Sequence, residues 1–187
     1  MGMWIAIGIA AVVIIAVIAM YNNLVRNRKE VDNGWAQIDV QLKRRCDLIP
    51  NLVETVKGYA AHEAGLLEKV TQARSAALSP NLNTENRIAA ETRLTGALKG
   101  LMIQVEAYPE LKASDNISML QSSLNEIEAQ LAAARRTYNS AVTDFNNAIQ
   151  MFPGCLFASM ARFQKRDLFE IPEAERQNVD VNELFKR

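Results

Sequence analysis

Hydrophobic and polar positions divide the chain into one uninterrupted apolar run and three long stretches of helical periodicity. From Met3 to Tyr21 no residue is charged. A helix over that run would span ~28 Å, about the thickness of a hydrocarbon core. Beyond it, apolar or small residues recur at Val31, Trp35, Ile38, Leu42, Cys46, Ile49, Val53, Val56, Ala60, Leu67, Val70 and Ala77. Steps of mostly three and four predict a single first helix over about 26–78, which would reach ~75 Å. A second stripe, Ile88, Leu94, Leu98, Leu101, Val105 and Tyr108, is interrupted only by Glu91 and predicts a helix over 84–108. A third runs through Ile117, Leu120, Leu124, Ile127, Leu131, Ala134, Tyr138, Ala141, Phe145 and Ala148. Its alternating steps of three and four make a heptad seam and a coiled-coil-like helix over 114–150.

Turn chemistry punctuates these elements. Ser79-Pro80-Asn81-Leu82-Asn83 reads as a turn, with Thr84 as the following N-cap. Pro109 ends the second helix because the residue before a proline avoids the α region. Ser114 or Asp115 caps the third, and Pro153-Gly154 stops it. The expected fold is all-α: an N-terminal transmembrane helix followed by an antiparallel bundle of long helices. The expected segments are an anchor over 1–21, a bundle over 22–153, and an apolar C-terminal helix with an extended tail over 154–187.

Pro50 falls inside the predicted first helix and removes a backbone bond to the Cys46 carbonyl, a loss of about 3 kcal/mol. A break with Asp47 as N-cap would accommodate it, as would a kinked continuous helix. The apolar phase runs from Leu42 through Cys46, Ile49, Val53 and Val56 without a slip, which favours the kink at Pro50.

The flanks of the apolar run choose an uncleaved anchor over a signal peptide. No basic residue precedes the run, and no cleavage-type small-x-small site ends it. Trp4 and Tyr21 mark its two ends, where amphipathic rings favour the interface. Arg26, Arg28 and Lys29 follow, so the positive-inside rule expects a short N-terminus outside and the remainder in the cytoplasm.

Two features bear on partners. The predicted second helix is too short to return along the whole first one. Val31, Trp35, Ile38 and Leu42 are therefore expected to remain uncovered and to form an oligomer interface with neighbouring copies. Farther on, Cys155, Leu156, Phe157, Met160, Ala161 and Phe163 form an apolar patch beside Arg162, Lys165 and Arg166. Such a patch suits a membrane-surface helix or the closing end of a bundle. With three long helices, residue 153 would lie far from the anchor, and the bundle or oligomer role is the expectation.

Chemistry is sparse. Lys+Arg and Asp+Glu balance at 21 each, so no basic face points to nucleic acid. Cys46 and Cys155 have no CxxC spacing and read as buried thiols. His62 is the chain's one histidine; beside Glu63 but without a second ligand one turn away, it reads as a helix-surface or bundle residue. Asn139 and Asn146, seven apart beside the seam, suit register fixing. No catalytic residue, metal site or cofactor is expected.

The landmarks Arg45-x-Asp47-Leu48-Ile49-Pro50-Asn51-Leu52-Val53, Tyr59-Ala60-x-His62-Glu63, Val105-Glu106-Ala107-Tyr108-Pro109-Glu110-Leu111-Lys112-Ala113 and Ala134-Arg135-Arg136-x-Tyr138-Asn139, with Phe145-Asn146 and Phe152-Pro153, resemble the LemA family. The resemblance runs from Asn22 to about Phe185, with Gly154-Cys155-Leu156 and the tail less typical. It implies a membrane-anchored helical bundle with a short N-terminus outside and no established enzymatic activity. Some relatives are associated with magnetosome membrane formation, and others are encoded beside membrane metalloproteases. The expected function is a non-enzymatic, homo-oligomeric scaffold that organises or remodels a bacterial inner membrane. The alternative is an adaptor or partner subunit of another membrane protein, such as a protease or sensor. Expected partners are membrane lipid, other copies and such a protein, but no nucleic acid.

Overall fold

The chain turns back soon after Lys57, about twenty residues earlier than its periodicity predicts. The computed structural model describes residues 1–58, 64–79 and 84–169, in which no strand occurs. Helix α1 spans Gly2–Lys57, α2 Ala64–Ala77, α3 Thr84–Ala107, α4 Pro109–Lys112, α5 Asp115–Gln150 and α6 Gly154–Met160. The expected helix over 26–78 is thus two helices. Gly58 sits in a turn, and the motif around His62 and Glu63 lies outside the described residues, as do the turn residues 80–83 and the tail from 170.

One hydrogen bond proves the reversal. The Arg74 Nε–H donates to the Cys46 carbonyl at 2.8 Å. In a continuous helix those residues would be ~42 Å apart. The same bond explains how Pro50 is accommodated. Helix α1 runs through Pro50 unbroken. Pro50 has no N–H to give the Cys46 carbonyl, and α2 supplies the donor in its place.

Cross-helix pairs then fix the directions. Asp39 pairs with Arg87 and Arg45 with Thr95, so α3 runs parallel to α1. Arg45 pairs with Glu128, and Gly34 lies against Tyr138, so α5 runs antiparallel to α1. Helix α2 lies between them in chain order and packs on α3. The result is an up-down-up-down bundle of α1, α2, α3 and α5, one helix more than the sequence pattern predicts. Its core gathers Cys46, Ile49, Leu52, Val56, Leu67, Val70, Leu94, Leu98, Leu101, Val105, Leu111 and Ile117. Tyr108 is extended before Pro109, as the proline rule requires, and α4 turns the corner with Leu111 fully buried.

The α5 seam moves as it proceeds. Ile117, Ile127, Leu131, Ala134, Tyr138 and Phe145 are buried, but near the end Val142 and Ile149 replace the expected Ala141 and Ala148. A straight helix drifts ~20° per heptad against a seven-residue repeat. Four heptads of drift approach the ~100° between adjacent residues, so the buried position advances by one.

Backbone contact sets the α1–α5 approach. A Cβ on Gly34 would stand 3.0 Å from Tyr138 Cα and 3.4 Å from its Cβ. Beside it, Trp35 meets the Tyr138 ring edge-on with centroids 5.4 Å apart. Gly34→Ala gains about 0.5–1 kcal/mol of helix preference but forces two backbones apart, an overpacking cost of about 1–3 kcal/mol. Net destabilisation is the expected result in urea unfolding followed by circular dichroism. An unchanged or raised midpoint would mean that the helices are not held at this spacing.

The chain divides into two compact units. One is Arg28–Ala141, which holds the packing just described. The other joins Met1–Asn27 to the chain from Val142 onward. In this unit Leu24, Val142, Phe145, Ile149, Ala158 and Phe169 are buried. Phe163 lies edge-on to Phe145 at 6.0 Å, and Asn146 clasps the Arg166 backbone, donating to its carbonyl at 2.9 Å and accepting from its N–H at 3.0 Å. That clasp gives Asn146 a partner in the C-terminal segment rather than the register-fixing contact expected along the seam. Gly154 passes so close to α5 that a Cβ there would fall 2.1 Å from the Ala148 carbonyl oxygen.

Candidate functional site

Charge enters the bundle core at one level. Arg45, on α1, is 6% exposed, and Glu91, on α3, is 3% exposed. Arg45 donates to Thr95 Oγ1 at 3.1 Å and pairs with Glu128 Oε2 at 3.1 Å. Arg135, on α5, donates to Glu91 Oε2 at 3.0 Å. The cluster therefore joins α1, α3 and α5 through two cations and two anions. Buried charges of this kind must be paired, because removal from water costs several kcal/mol per ion.

Glu91 is the least comfortable member. Its Oε1 is buried and accepts no hydrogen bond. Burial pushes its carboxyl above the usual carboxylate range, outweighing the pull of Arg45 and then Arg135 in the opposite direction. The adjoining Cys46 thiol is likewise pushed up to about 11, chiefly by burial and then by Glu91. A thiol so poorly ionised is a weak nucleophile. The arrangement joins α1, α3 and α5.

A raised acid pKa fixes the sign of a pH effect. Folded Glu91 holds its proton to higher pH than the unfolded chain does. Its contribution to stability is therefore largest below the unfolded value of 4.5 and is lost as pH rises through the folded value. Glu91→Gln should abolish that loss, and the difference between wild-type and variant stability should vary with pH over this window. Parallel profiles across the window would show that Glu91 ionises as freely in the bundle as in water.

The structure places the other predicted residues plainly. Trp4 and Tyr21 are exposed near the ends of the apolar run, and Arg26, Arg28 and Lys29 are exposed just beyond it. Pro50 lies within α1 as expected. Val31, Ile38 and Leu42 are 3%, 0% and 7% exposed, and Trp35 is half-buried against Tyr138. The premise that this stripe lacks a partner in its own chain is therefore corrected. The extra reversal at α2 brings α5 back along α1, and the stripe forms core. Residues 142 onward likewise share a compact unit with Met1–Asn27, correcting the expectation that residue 153 lies far from the anchor.

Periodicity did not single out Arg45 or its acidic partners as a cluster. The available signal was Glu91, the one charge in an otherwise apolar stripe. Among the described residues no group of three or more His, Cys, Asp or Glu stands together as a metal site. One groove beside α1 is lined by Ala36, Val40, Gln41 and Thr137 without a charged group, whereas two others carry Arg44, Asp47 and Glu126, and Asp39, Lys43 and Arg87.

The first part of α1 is long and apolar enough to cross a membrane, and its apolar window is unburied. With the bundle that follows, this defines a membrane protein of the anchored helical-bundle class. A LemA family profile matches residues 34–182, and the chain belongs to that family. It is 28% identical over 163 residues to Protein LemA of Metamycoplasma hominis, covering 87% of this chain and 74% of that one. It is 24% identical to Magnetosome protein MamQ 2 of Paramagnetospirillum magneticum, covering 95% and 75%. To Magnetosome protein MamQ of Magnetospirillum gryphiswaldense it is 22% identical, covering 89% and 70%.

Proposed function

We propose that the chain is a non-enzymatic scaffold that self-associates in a bacterial inner membrane and organises or remodels it. The observation that supports this reading most is the continuity of α1. Helix Gly2–Lys57 supplies both the apolar span and a bundle helix, with no linker between them. A connection made of unbroken helix suits a structural element better than a tethered catalytic domain. The charge cluster adds support, because its groups are spent on one another. The relatives named as magnetosome proteins are consistent with a role at a bacterial membrane. Arg26, Arg28 and Lys29 favour an N-terminus outside and a cytoplasmic bundle.

A photo-crosslinking residue at Val40, which is 54% exposed, tests the reading in living cells. Self-adducts are expected, and light scattering of the detergent-extracted full chain should give more than one copy. A single dominant foreign adduct would replace the scaffold with the adaptor reading. Monomer by both measurements would dismiss self-association.

A further inference from the structure

Outside the apolar span, the two most exposed large apolar side chains among the described residues, Phe152 and Met160, lie in the unit that contains the span, with Met151 and Leu156 close by in sequence. Phe152 is 80% exposed, Met160 79%, Met151 66% and Leu156 61%. Leu156 and Met160 are four apart on α6 and so share one face. Ala158 of the same helix is buried, so α6 is held in the unit while its apolar face stays open. An open patch of this kind on a protein surface marks an interaction site.

Three observations indicate what covers it. First, the patch and the span belong to one compact unit. Within Met1–Asn27, burial is confined to Val17, Met20, Leu24, Val25 and Asn27, the end of the span that carries Tyr21 and Arg26. The remaining span residues face outward, as lipid contact requires. Second, Arg162 and Lys165 are exposed immediately after α6. Basic groups flanking an open apolar face match a headgroup layer over acyl chains. Third, Arg162 occupies a position that disfavours it. Phe163 N–H bonds to the Ala158 carbonyl at 3.0 Å and Arg162 N–H to that of Ser159 at 3.3 Å, which is a Schellman end to α6. Arg162 takes the left-handed position with φ 55°, where glycine is favoured. The residue at this position is a cation rather than the glycine that the backbone favours.

We infer that residues 151–165 dock on the same bilayer that the anchor spans, with Phe152, Leu156 and Met160 at the acyl boundary and Arg162 and Lys165 among lipid phosphates. This rests on the anchored reading. A seven-residue helix binds lipid weakly alone, but the span holds it at the surface, so the local concentration replaces intrinsic affinity.

The test uses the full chain in phosphatidylcholine vesicles with and without phosphatidylglycerol. Nitroxide labels are placed singly at Leu156→Cys and Met160→Cys in a Cys155→Ser background; Cys46 is buried and stays unlabelled. Ile14→Cys and Ser140→Cys give the lipid and water references. Labels at 156 and 160 should relax with oxygen and be shielded from a polar nickel chelate, as at 14. Arg162→Gly with Lys165→Gln should lose part of that shielding on anionic vesicles, and the glycine leaves the Schellman end intact. Labels that behave as at 140 overturn the inference, and labels shielded from both reagents overturn it in favour of protein cover. If the label at 14 itself reads as aqueous, the anchored reading fails and the inference with it.

Discussion

Ile38→Asp should unfold the bundle. Ile38 is fully buried, and the replacement removes an aliphatic side chain from the core and leaves a carboxylate without a designed partner. The lost burial and the resulting void account for several kcal/mol, and the uncompensated polar group adds more. A total beyond about 4 kcal/mol is expected, a large part of the 5–15 kcal/mol that holds a typical domain together. Val40→Asp is the control two residues away. Val40 is 54% exposed, and its replacement should shift stability by no more than about 0.5 kcal/mol. Thermal unfolding by circular dichroism, paired with light scattering, separates this outcome from the interface expected of Val31, Trp35, Ile38 and Leu42. A surface interface would let Ile38→Asp stay helical and merely disperse. Loss of cooperative unfolding together with particle collapse or aggregation is the result that a core position requires.

That contrast shows where the sequence was readable. The apolar span, the passage of α1 through Pro50, the stop at Pro109 and the extent of α5 all rest on local rules, and all appear in the structure. The reversal after Lys57 does not rest on such a rule. Val56 and Leu67 carry compatible helical phases, and a 3.6-residue period is the same in one long helix as in two helices of a hairpin. Gly58, just past the end of α1, was the local signal, but an isolated glycine is tolerated inside helices at about 1 kcal/mol. Missing one reversal inverted the direction of every later helix. It left Val31 to Leu42 without a visible cover and sent the C-terminal patch to the wrong end. The charge cluster was hidden for a related reason. Glu91 signals a need for a buried cation, but whether Arg45 or Arg135 reaches it depends on the register between helices far apart in sequence. Arg74 illustrates the same limit: Pro50 advertises a bare carbonyl at Cys46, but only the turned-back α2 shows which donor meets it.

Arg45→Met should be the most damaging change within the charge cluster. The methionine keeps much of the apolar stem's packing but removes the cation that lies among Thr95, Glu128 and Glu91. Glu128 is 47% exposed in its side chain and can turn to water, whereas Glu91 is 4% exposed and cannot. Glu91 keeps Arg135 but loses the larger of its two charge attractions. Breaking a buried pair in this one-sided way costs about 3–5 kcal/mol. The loss should depend on pH with a definite sign. Without Arg45 the folded Glu91 carboxyl holds its proton still more tightly, so the penalty grows as pH rises through the folded value and shrinks as pH falls toward the unfolded value of 4.5. Glu91→Gln on the Arg45→Met background should recover stability at neutral pH and remove most of that dependence. A double-mutant cycle by urea unfolding at two pH values measures the coupling directly. Additive effects at both pH values would mean that Arg45 serves Thr95 and Glu128 alone and that Glu91 is held by Arg135 without it.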